Sequence, residues 1–160
     1  MGEILLYHGS KVEVAYPEIR ITKYTKDFSW GFYCTNNMNQ AIRWANRGIG
    51  EPIINYYEYV PTENLKILRF PEISDEWLDF IAECRSGKTH TYDIVEGPME
   101  NDTVWNYVND FLTGRITRRQ FWVLAEFKYP THQISFHTLS AIDCLTFMKS
   151  EVVYDRTRKK

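Results

Sequence analysis

Two short stretches hold side chains suited to gripping a flat, polar ligand. In Tyr7-His8-Gly9-Ser10, the apolar run Ile4-Leu5-Leu6-Tyr7 ends abruptly in an imidazole, a glycine and a hydroxyl. In Gly31-Phe32-Tyr33-Cys34-Thr35, a glycine precedes a phenol ring. A residue without Cβ lets a ligand approach the backbone. Tyr33 leads into a segment bearing Trp44, so two rings fall on one side of a cleft, where aromatic faces stack planar groups. The same rings would serve equally well as core packing, and residue type alone leaves both readings open.

Other constellations carry less. Ser86-Gly87-Lys88-Thr89 matches the end of a phosphate loop but lacks the earlier glycine, and it closes a helical stretch where a phosphate loop opens one. A helix C-cap followed by a loop accounts for it. His132 and His137 lie five apart across an expected strand and so face opposite sides, which is poor metal geometry, and His90 is remote in sequence. No metal site is expected. Cys34, Cys84 and Cys144 are far apart, with no CxxC pair. That argues against a disulfide framework or a zinc site, and no local motif pairs a cysteine with a histidine as nucleophile. Reduced, mostly buried thiols are the natural reading. In Gly114–Trp122, Arg115, Arg118 and Arg119 sit beside Phe121 and Trp122. Such a stretch can contact a nucleic-acid backbone and stack bases, or it can be a solvated helix start with its apolar face inward. Basic side chains in a first turn oppose the helix dipole, which favours an anionic partner slightly.

These residues need elements to position them. Strands are predicted over 4–8, 31–35, 53–60, 66–70, 92–96 and 133–137, with a further one over 152–154. Each is short, rich in β-branched or aromatic residues, and bounded by Gly, Pro, Asn or charge. Helices are predicted over 37–47, 75–86, 103–112, 118–127 and 139–149. Ser74, Asp102, Thr117 and Thr138 stand as N-caps and Gly87 and Gly114 as stops. Thr117-Arg118-Arg119-Gln120 fits the capping box. Strands and helices do not alternate strictly. That points to an α+β fold, with a split or two-layer sheet and helices packed on it.

Composition sets the frame. At 160 residues with 44% hydrophobic content, one domain with one real core is expected over 1–154, followed by a charged, flexible tail over 155–160. A net charge of -2 offers no global basic field for nucleic acid. The apolar start is too short for a signal peptide, and no run approaches transmembrane length. A soluble cytoplasmic protein without membrane contact is the expectation.

The ordered set of motifs resembles the ADP-ribosyltransferase superfamily in its His-Tyr-[Glu/Asp/Gln] branch, which includes diphtheria toxin and the poly(ADP-ribose) polymerases. The residues that carry the resemblance are His8-Gly9-Ser10, Gly31-Phe32-Tyr33 with Trp44 eleven residues beyond the tyrosine, and Gln133 opening Gln133-Ile134-Ser135-Phe136-His137-Thr138. Asp27-Phe28, Gln40-Ala41 and Tyr92-Asp93-Ile94-Val95-Glu96-Gly97-Pro98 narrow it to an uncharacterised bacterial group of ADP-ribosyltransferase-like proteins found in toxin–antitoxin neighbourhoods. The resemblance spans residues 5–147.

It implies a split two-sheet core with peripheral helices and binding of NAD as co-substrate. His8 would bond the hydroxyls of the adenine-side ribose, with Ser10 beside it. The Gly9 backbone would hold the nicotinamide carboxamide, Tyr33 would stack on the nicotinamide ring, and Trp44 would line the same pocket. Gln133 would meet the ribose joined to nicotinamide. His8, Tyr33 and Gln133 form the implied catalytic set for transfer of ADP-ribose to a macromolecule, protein or nucleic acid, with an antitoxin protein as a further partner. Departure of nicotinamide builds positive charge on the ribose, which a carboxylate would stabilise better than an amide. Gln133 can bond a hydroxyl but supplies no charge and no base. Glu96, Glu100, Asp102 and Glu126 are the acids that could assist. Glu100 is preferred among them, with Asn101 beside it in a turn-rich loop that reads equally as a helix-capping loop with Asp102 as N-cap, and Arg115, Arg118 and Arg119 are candidates on the target side. A catalytically inactive module that binds NAD or a partner on the same fold is the alternative.

Overall fold

The computed structural model describes residues 4–19, 28–99, 102–125 and 131–155. Among the described residues, seven strands and five helices run in the order β1 (Ile4–Ser10), β2 (Phe32–Cys34), α1 (Met38–Ala45), β3 (Ile53–Tyr59), β4 (Ile67–Arg69), α2 (Asp75–Arg85), β5 (Ile94–Met99), α3 (Asp102–Leu112), α4 (Arg118–Ala125), β6 (Thr131–Phe136), α5 (Leu139–Ile142) and β7 (Leu145–Val152). The class is α+β, as the irregular alternation predicts.

The strands form two sheets, one ordered β1-β3-β7 and the other β2-β6-β5-β4. All pairings are antiparallel except β4 with β5. A single bridge joins the sheets among the described residues. Tyr7 N–H donates to Thr35 O at 2.8 Å and Thr35 N–H to Tyr7 O at 2.9 Å.

Three apolar clusters set the layers. Leu6, Tyr57 and Tyr59 of the first sheet pack with Phe32, Cys34, Ile94, Ile134 and Phe136 of the second, so the two sheets share one interior. On the outer side of the first sheet, Ala41 and Ala45 of α1 meet Ile54 and Tyr56. On the outer side of the second, Trp77, Leu78 and Ile81 of α2, with Val108 and Phe121, cover Tyr33 and Val95. Trp77 buries its indole and donates Nε1–H to Pro98 O at 2.8 Å.

The helix ends follow the sequence signals. Ser74 Oγ accepts from Trp77 N–H at 3.2 Å. Thr117 and Gln120 cap each other reciprocally, at 2.8 and 3.1 Å. After Ser86, Gly87 takes φ +96°, and the N–H groups of Gly87 and Lys88 return to Cys84 O and Glu83 O, both at 3.1 Å. The Ser-Gly-Lys-Thr run is therefore a helix C-cap in which the glycine adopts a left-handed conformation. The expected cap Asp102 is instead the first residue of α3.

The predicted helix over 139–149 is wrong beyond its first turn, and so is the short strand over 152–154. Thr138 caps α5 by accepting from Ala141 N–H, but the helix ends at Ile142. The chain then forms β7, which pairs with β3 along its length, from Leu145 opposite Tyr59 to Val152 opposite Ile53. Local periodicity suggested a helix, but pairing with a strand rich in Ile and Tyr prevails. A bulge between Tyr56 and Tyr57 absorbs one residue of the β7 register.

Cys34, Cys84 and Cys144 are all buried and free of disulfides. Burial pushes the Cys34 thiol well above its ordinary range. Asp155, expected to begin a loose tail, is tied by its N–H to Asn46 Oδ1 at 3.1 Å. The rest of that tail lies outside the described residues. No helix among the described residues is long and apolar enough to cross a membrane.

Candidate functional site

The site forms where the two sheets part. In an antiparallel pair, the N–H and C=O of alternate residues point to the same neighbour. Tyr7 directs both groups at Thr35, so Gly9, two residues on, also turns its N–H and C=O toward β2. There the strands have diverged, and the pairing stops at Tyr7–Thr35. The Tyr33 carbonyl, which a continuing ladder would bond to Gly9 N–H, lies 2.6 Å from His8 Nδ1. A carbonyl only accepts, so Nδ1 carries the hydrogen, and in the neutral ring the lone pair lies on Nε2. The His8 ring rests on Phe32, with centroids 4.2 Å apart. By taking over the Tyr33 carbonyl, His8 leaves the Gly9 backbone pair facing the split.

The glycines have a different cause from the one expected. A Cβ on Gly9 would lie 2.2 Å from Ala41 O and 2.8 Å from Ala45 N. A Cβ on Gly31 would lie 2.7 Å from His137 Nδ1. The groups pressed against these backbones are α1 and an imidazole of the chain itself, where sequence reasoning expected a flat ligand. Only the in-plane edge of Gly9 is left to meet one.

Register brings most of the remaining candidates to one face. Tyr33 stands opposite Ser135, and Gly97 opposite Gln133. Residues directly opposite, and those two apart on a strand, share a face, so Tyr33, Ser135 and Gln133 lie together. Trp44 stands apart on α1 against the first sheet, where its Cβ lies 3.0 Å from the Cβ position of Gly9. Tyr33 and Gln133 are 5% and 2% exposed, so their shared face is closed. Phe28 covers Tyr33 with its ring at 21° and 6.5 Å.

That closure has its own bonds. Tyr33 Oη–H donates to Ser29 O at 2.6 Å and accepts from Phe28 N–H at 3.0 Å. His90 Nδ1 accepts from Tyr92 N–H at 3.1 Å, which places its hydrogen on Nε2, 2.8 Å from Phe28 O. His137 Nδ1–H donates to Trp30 O at 2.8 Å, and its Nε2 accepts from Ser135 Oγ–H at 2.7 Å. Both rings are neutral in this pattern, with centroids 4.4 Å apart and planes at 85°. Burial lowers the pKa of His90 despite its bond to Phe28 O. Burial lowers that of His137 to about 4, with the neighbouring His90 adding to the effect.

On the other side of His8 lies a cleft of about 240 Å³, with walls that include His8, Ser10, Tyr16, Glu18, Trp30 and Tyr33. Val12 and Val14, also in its walls, are held by Asn55, fully buried on β3. Asn55 accepts from Val14 N–H at 2.8 Å and donates to His8 O and Val12 O, both at 3.3 Å. Sequence reasoning passed over this residue and the segment it holds. The available signal was an amide inside the apolar run Ile53-Ile54-Asn55-Tyr56-Tyr57.

The other candidates separate from this centre. Glu96 pairs with Arg69 at 2.7 Å and stands opposite Ile134, on the face away from Gln133, so the fold does not bring the two together. Arg118 is held by Asp79 at 2.6 Å and Asp75 at 3.2 Å, and Asp75 also accepts from Trp122 Nε1–H at 2.9 Å. For Arg118 the solvated helix start is therefore the better reading. Its charge is answered by the acidic first turns of α2. Arg115 and Arg119 are exposed. Glu100, Asn101 and Glu126 lie outside the described residues, as does the side chain of Asp102. No cluster of three or more His, Cys, Asp or Glu among the described residues could hold a metal ion.

A comparison with curated proteins finds no match. The family model described as "Protein of unknown function (DUF3990)" matches residues 4–147, which takes in the split, every described candidate residue and both sheets up to the start of β7. The chain belongs to the DUF3990 family of proteins of unknown function.

Proposed function

We propose that the chain is an NAD-dependent mono-ADP-ribosyltransferase that moves ADP-ribose from NAD to a macromolecular target. The observation that carries this reading is the Gly9 backbone pair at the split, flanked by Tyr33 and Trp44. A primary carboxamide offers one acceptor and two donors, so it complements one N–H and one C=O on a strand edge. Nicotinamide joins such a carboxamide to a flat ring, which the Tyr33 ring would stack on once uncovered.

In the reaction, the ribose–nicotinamide C–N bond breaks and its electron pair leaves with nicotinamide. A nucleophilic oxygen or nitrogen of the target bonds the same carbon and gives up its proton. The chain's own residues would position the two partners. His8 Nε2 would accept from a ribose hydroxyl, and Gln133 would bond the other ribose without taking a proton. The 240 Å³ cleft lies below the usual size for a drug-like ligand, roughly 300 Å³ and upward. It would take one end of the dinucleotide. A toxin role with an antitoxin partner belongs to the same proposal and rests on the sequence resemblance.

Incubation with labelled NAD and lysate tests it. Nicotinamide release and label transfer, both lost in Tyr33→Ala, are expected. Absence of both in the wild type would defeat the catalytic reading. Nuclease treatment then separates protein from nucleic-acid targets. A second reading, an NAD-binding module without turnover, is favoured by the buried amide of Gln133 where an acid would act. Calorimetry showing NAD binding without nicotinamide release would select it.

A further inference from the structure

The segment 28–31 is fastened more heavily than a connection needs. Tyr33 Oη bridges Phe28 N–H and Ser29 O, His90 holds Phe28 O, and His137 holds Trp30 O. Ser29 sits at φ +78°, a left-handed conformation that is strained for a residue with a side chain. The His137 ring is wedged against Gly31 where no Cβ could fit. The outcome of all this is Phe28, fully buried, lying over the face of Tyr33.

We propose that segment 28–31 is an autoinhibitory latch, in which Phe28 occupies the ring site on Tyr33 and the neutral pair His90–His137 keeps it there until protonation releases it. The inference rests on the NAD reading for what enters, but the latch itself does not depend on it.

The chemistry of release follows from the bonds. His90 has a hydrogen on Nε2 and accepts at Nδ1 from Tyr92 N–H. A proton added at Nδ1 would face that N–H, so the bond is lost. His137 can take a proton at Nε2 only if Ser135 Oγ–H turns to Val95 O, 3.2 Å away. The cation would then be part-buried and would face His90 at 4.4 Å. The surroundings do not offset such a charge. Phe80 approaches His90 from α2 at 5.3 Å and Tyr92 at 5.6 Å, and Tyr33 approaches His137 from β2 at 6.3 Å. The Lys66 ammonium lies 5.4 Å from the Tyr92 ring, and its charge also disfavours a second cation. Protonation strengthens the donor bonds to Phe28 O and Trp30 O, but it gives up those from Tyr92 and Ser135 and sets two cations 4.4 Å apart among aromatic rings. That cost is relieved when the segment departs and water reaches the rings, and the strain at Ser29 acts in the same direction. Phe28 leaves with the segment, and Tyr33 is uncovered.

Amide hydrogen exchange on the full chain tests this from about pH 7 to about pH 4.5, corrected for the intrinsic pH dependence of exchange. Protection of residues 28–31 is expected to fall about tenfold or more while that of Tyr56 and Tyr57 in β3 persists. The double variant His90→Gln and His137→Gln, whose amides donate but do not titrate in this range, is expected to lose the effect. Unchanged protection at 28–31 in the wild type would overturn the latch, and that measurement stands even if the variant fails to fold. Calorimetry with NAD adds a second arm. Binding that strengthens severalfold in acid supports the latch, and equal binding at both pH values with 28–31 released overturns it. If NAD binds at neither pH while 28–31 is released, the NAD reading fails and the latch stands.

Discussion

His8 Nδ1–H donates to the carbonyl of Tyr33 at 2.6 Å, in the place where β1 and β2 would otherwise exchange a backbone bond. A side chain has replaced a ladder contact. The replacement lets the strands part after Tyr7–Thr35 and sets the edge of Gly9 toward the gap. The abrupt change from Leu-Leu-Tyr to His-Gly-Ser thus marks the point where one sheet becomes two.

Removing that bond is expected to show in two measurements. His8→Ala leaves the Tyr33 carbonyl short of a donor and takes a ring off Phe32, at a cost of about 1–2 kcal/mol in urea unfolding. His8→Asn carries an N–H at nearly the same reach and should recover most of that stability. It has no counterpart to the lone pair at imidazole Nε2, so the NAD affinity that the proposed function requires should remain reduced about tenfold or more. An Asn variant that binds NAD like the wild type would remove His8 Nε2 from the ribose contact.

Gly9→Ala is expected to destabilise by about 2–3 kcal/mol, because its Cβ meets backbone atoms of α1 that cannot rotate away. Gly48 offers the contrast. A Cβ there would meet nothing within 4 Å, and the only obstacle is φ +71°. Gly48→Ala should therefore cost about 1 kcal/mol. Denaturation midpoints of the two variants under identical conditions check the ordering, which reverses if α1 yields to the methyl group.

These cases show what the sequence could reveal. The strand carrying Tyr33 and the helix carrying Trp44 were legible because their patterning is local, and Thr117 and Gln120 because capping chemistry is local. The role of Gly9 was not legible. Its identity answers Ala41 O, more than thirty residues away, and no local pattern reports that contact. The end of the chain failed for the same reason. Leu139–Ile142 obeys its Thr138 cap, but Leu145–Val152 obeys β3, whose edge becomes available only once the sheet exists. The segment 28–31 was missed because its fastenings come from His90 and His137, which the sequence offered only as poorly placed metal ligands.

Tyr33→Phe isolates the latch from the ring. The substitution keeps the aromatic face but leaves Phe28 N–H and Ser29 O without their shared hydroxyl. A loss of about 2 kcal/mol is expected, with faster exchange at residues 28–31. If Tyr33 acts on the ligand only as a stacking face, Tyr33→Phe should bind NAD at least as well as the wild type, because the cover over that face is weaker. Tyr33→Ala should bind it poorly. Calorimetry on the three proteins separates the hydroxyl's role in closure from the ring's role in recognition.

Arg118 tests the basic stretch. Its ion pairs with Asp79 and Asp75 join exposed side chains, and such pairs contribute little, about 0.2–1 kcal/mol each. A double-mutant cycle on Arg118 and Asp79 should give coupling of that size, falling as salt is added. Label transfer from NAD should be unchanged in Arg118→Ala, since its charge already has protein partners. Loss of transfer in Arg118→Ala, with Arg119→Ala unaffected, would return Arg118 to the target-binding surface.

The pH dependence of stability should carry two separable windows. In the folded chain His137 titrates at about 4 because it is buried, whereas an unfolded histidine titrates near 6.5. Between these values the unfolded chain binds the proton and the folded chain does not, so stability falls as pH falls. Its contribution is complete above about pH 6.5 and lost by about pH 4, with a ceiling of about 3 kcal/mol. Release of residues 28–31 would lower that ceiling without changing its sign. Asp93 acts further into acid. Its carboxylate accepts from Thr138 Oγ1–H at 2.6 Å and from Lys66 N–H at 2.8 Å, and the bond from Thr138 foremost holds its pKa below the ordinary value of 3.8. Its contribution is present above that value and disappears as pH falls below it. Urea midpoints from about pH 7 to about pH 3 should therefore decline in two steps. Removing the imidazole in His137→Gln should flatten the upper step, and Asp93→Asn the lower. A wild-type midpoint that stays level from pH 6.5 to 4 would mean that His137 is reached by protons without disturbing the fold, and that burial does not hold it neutral.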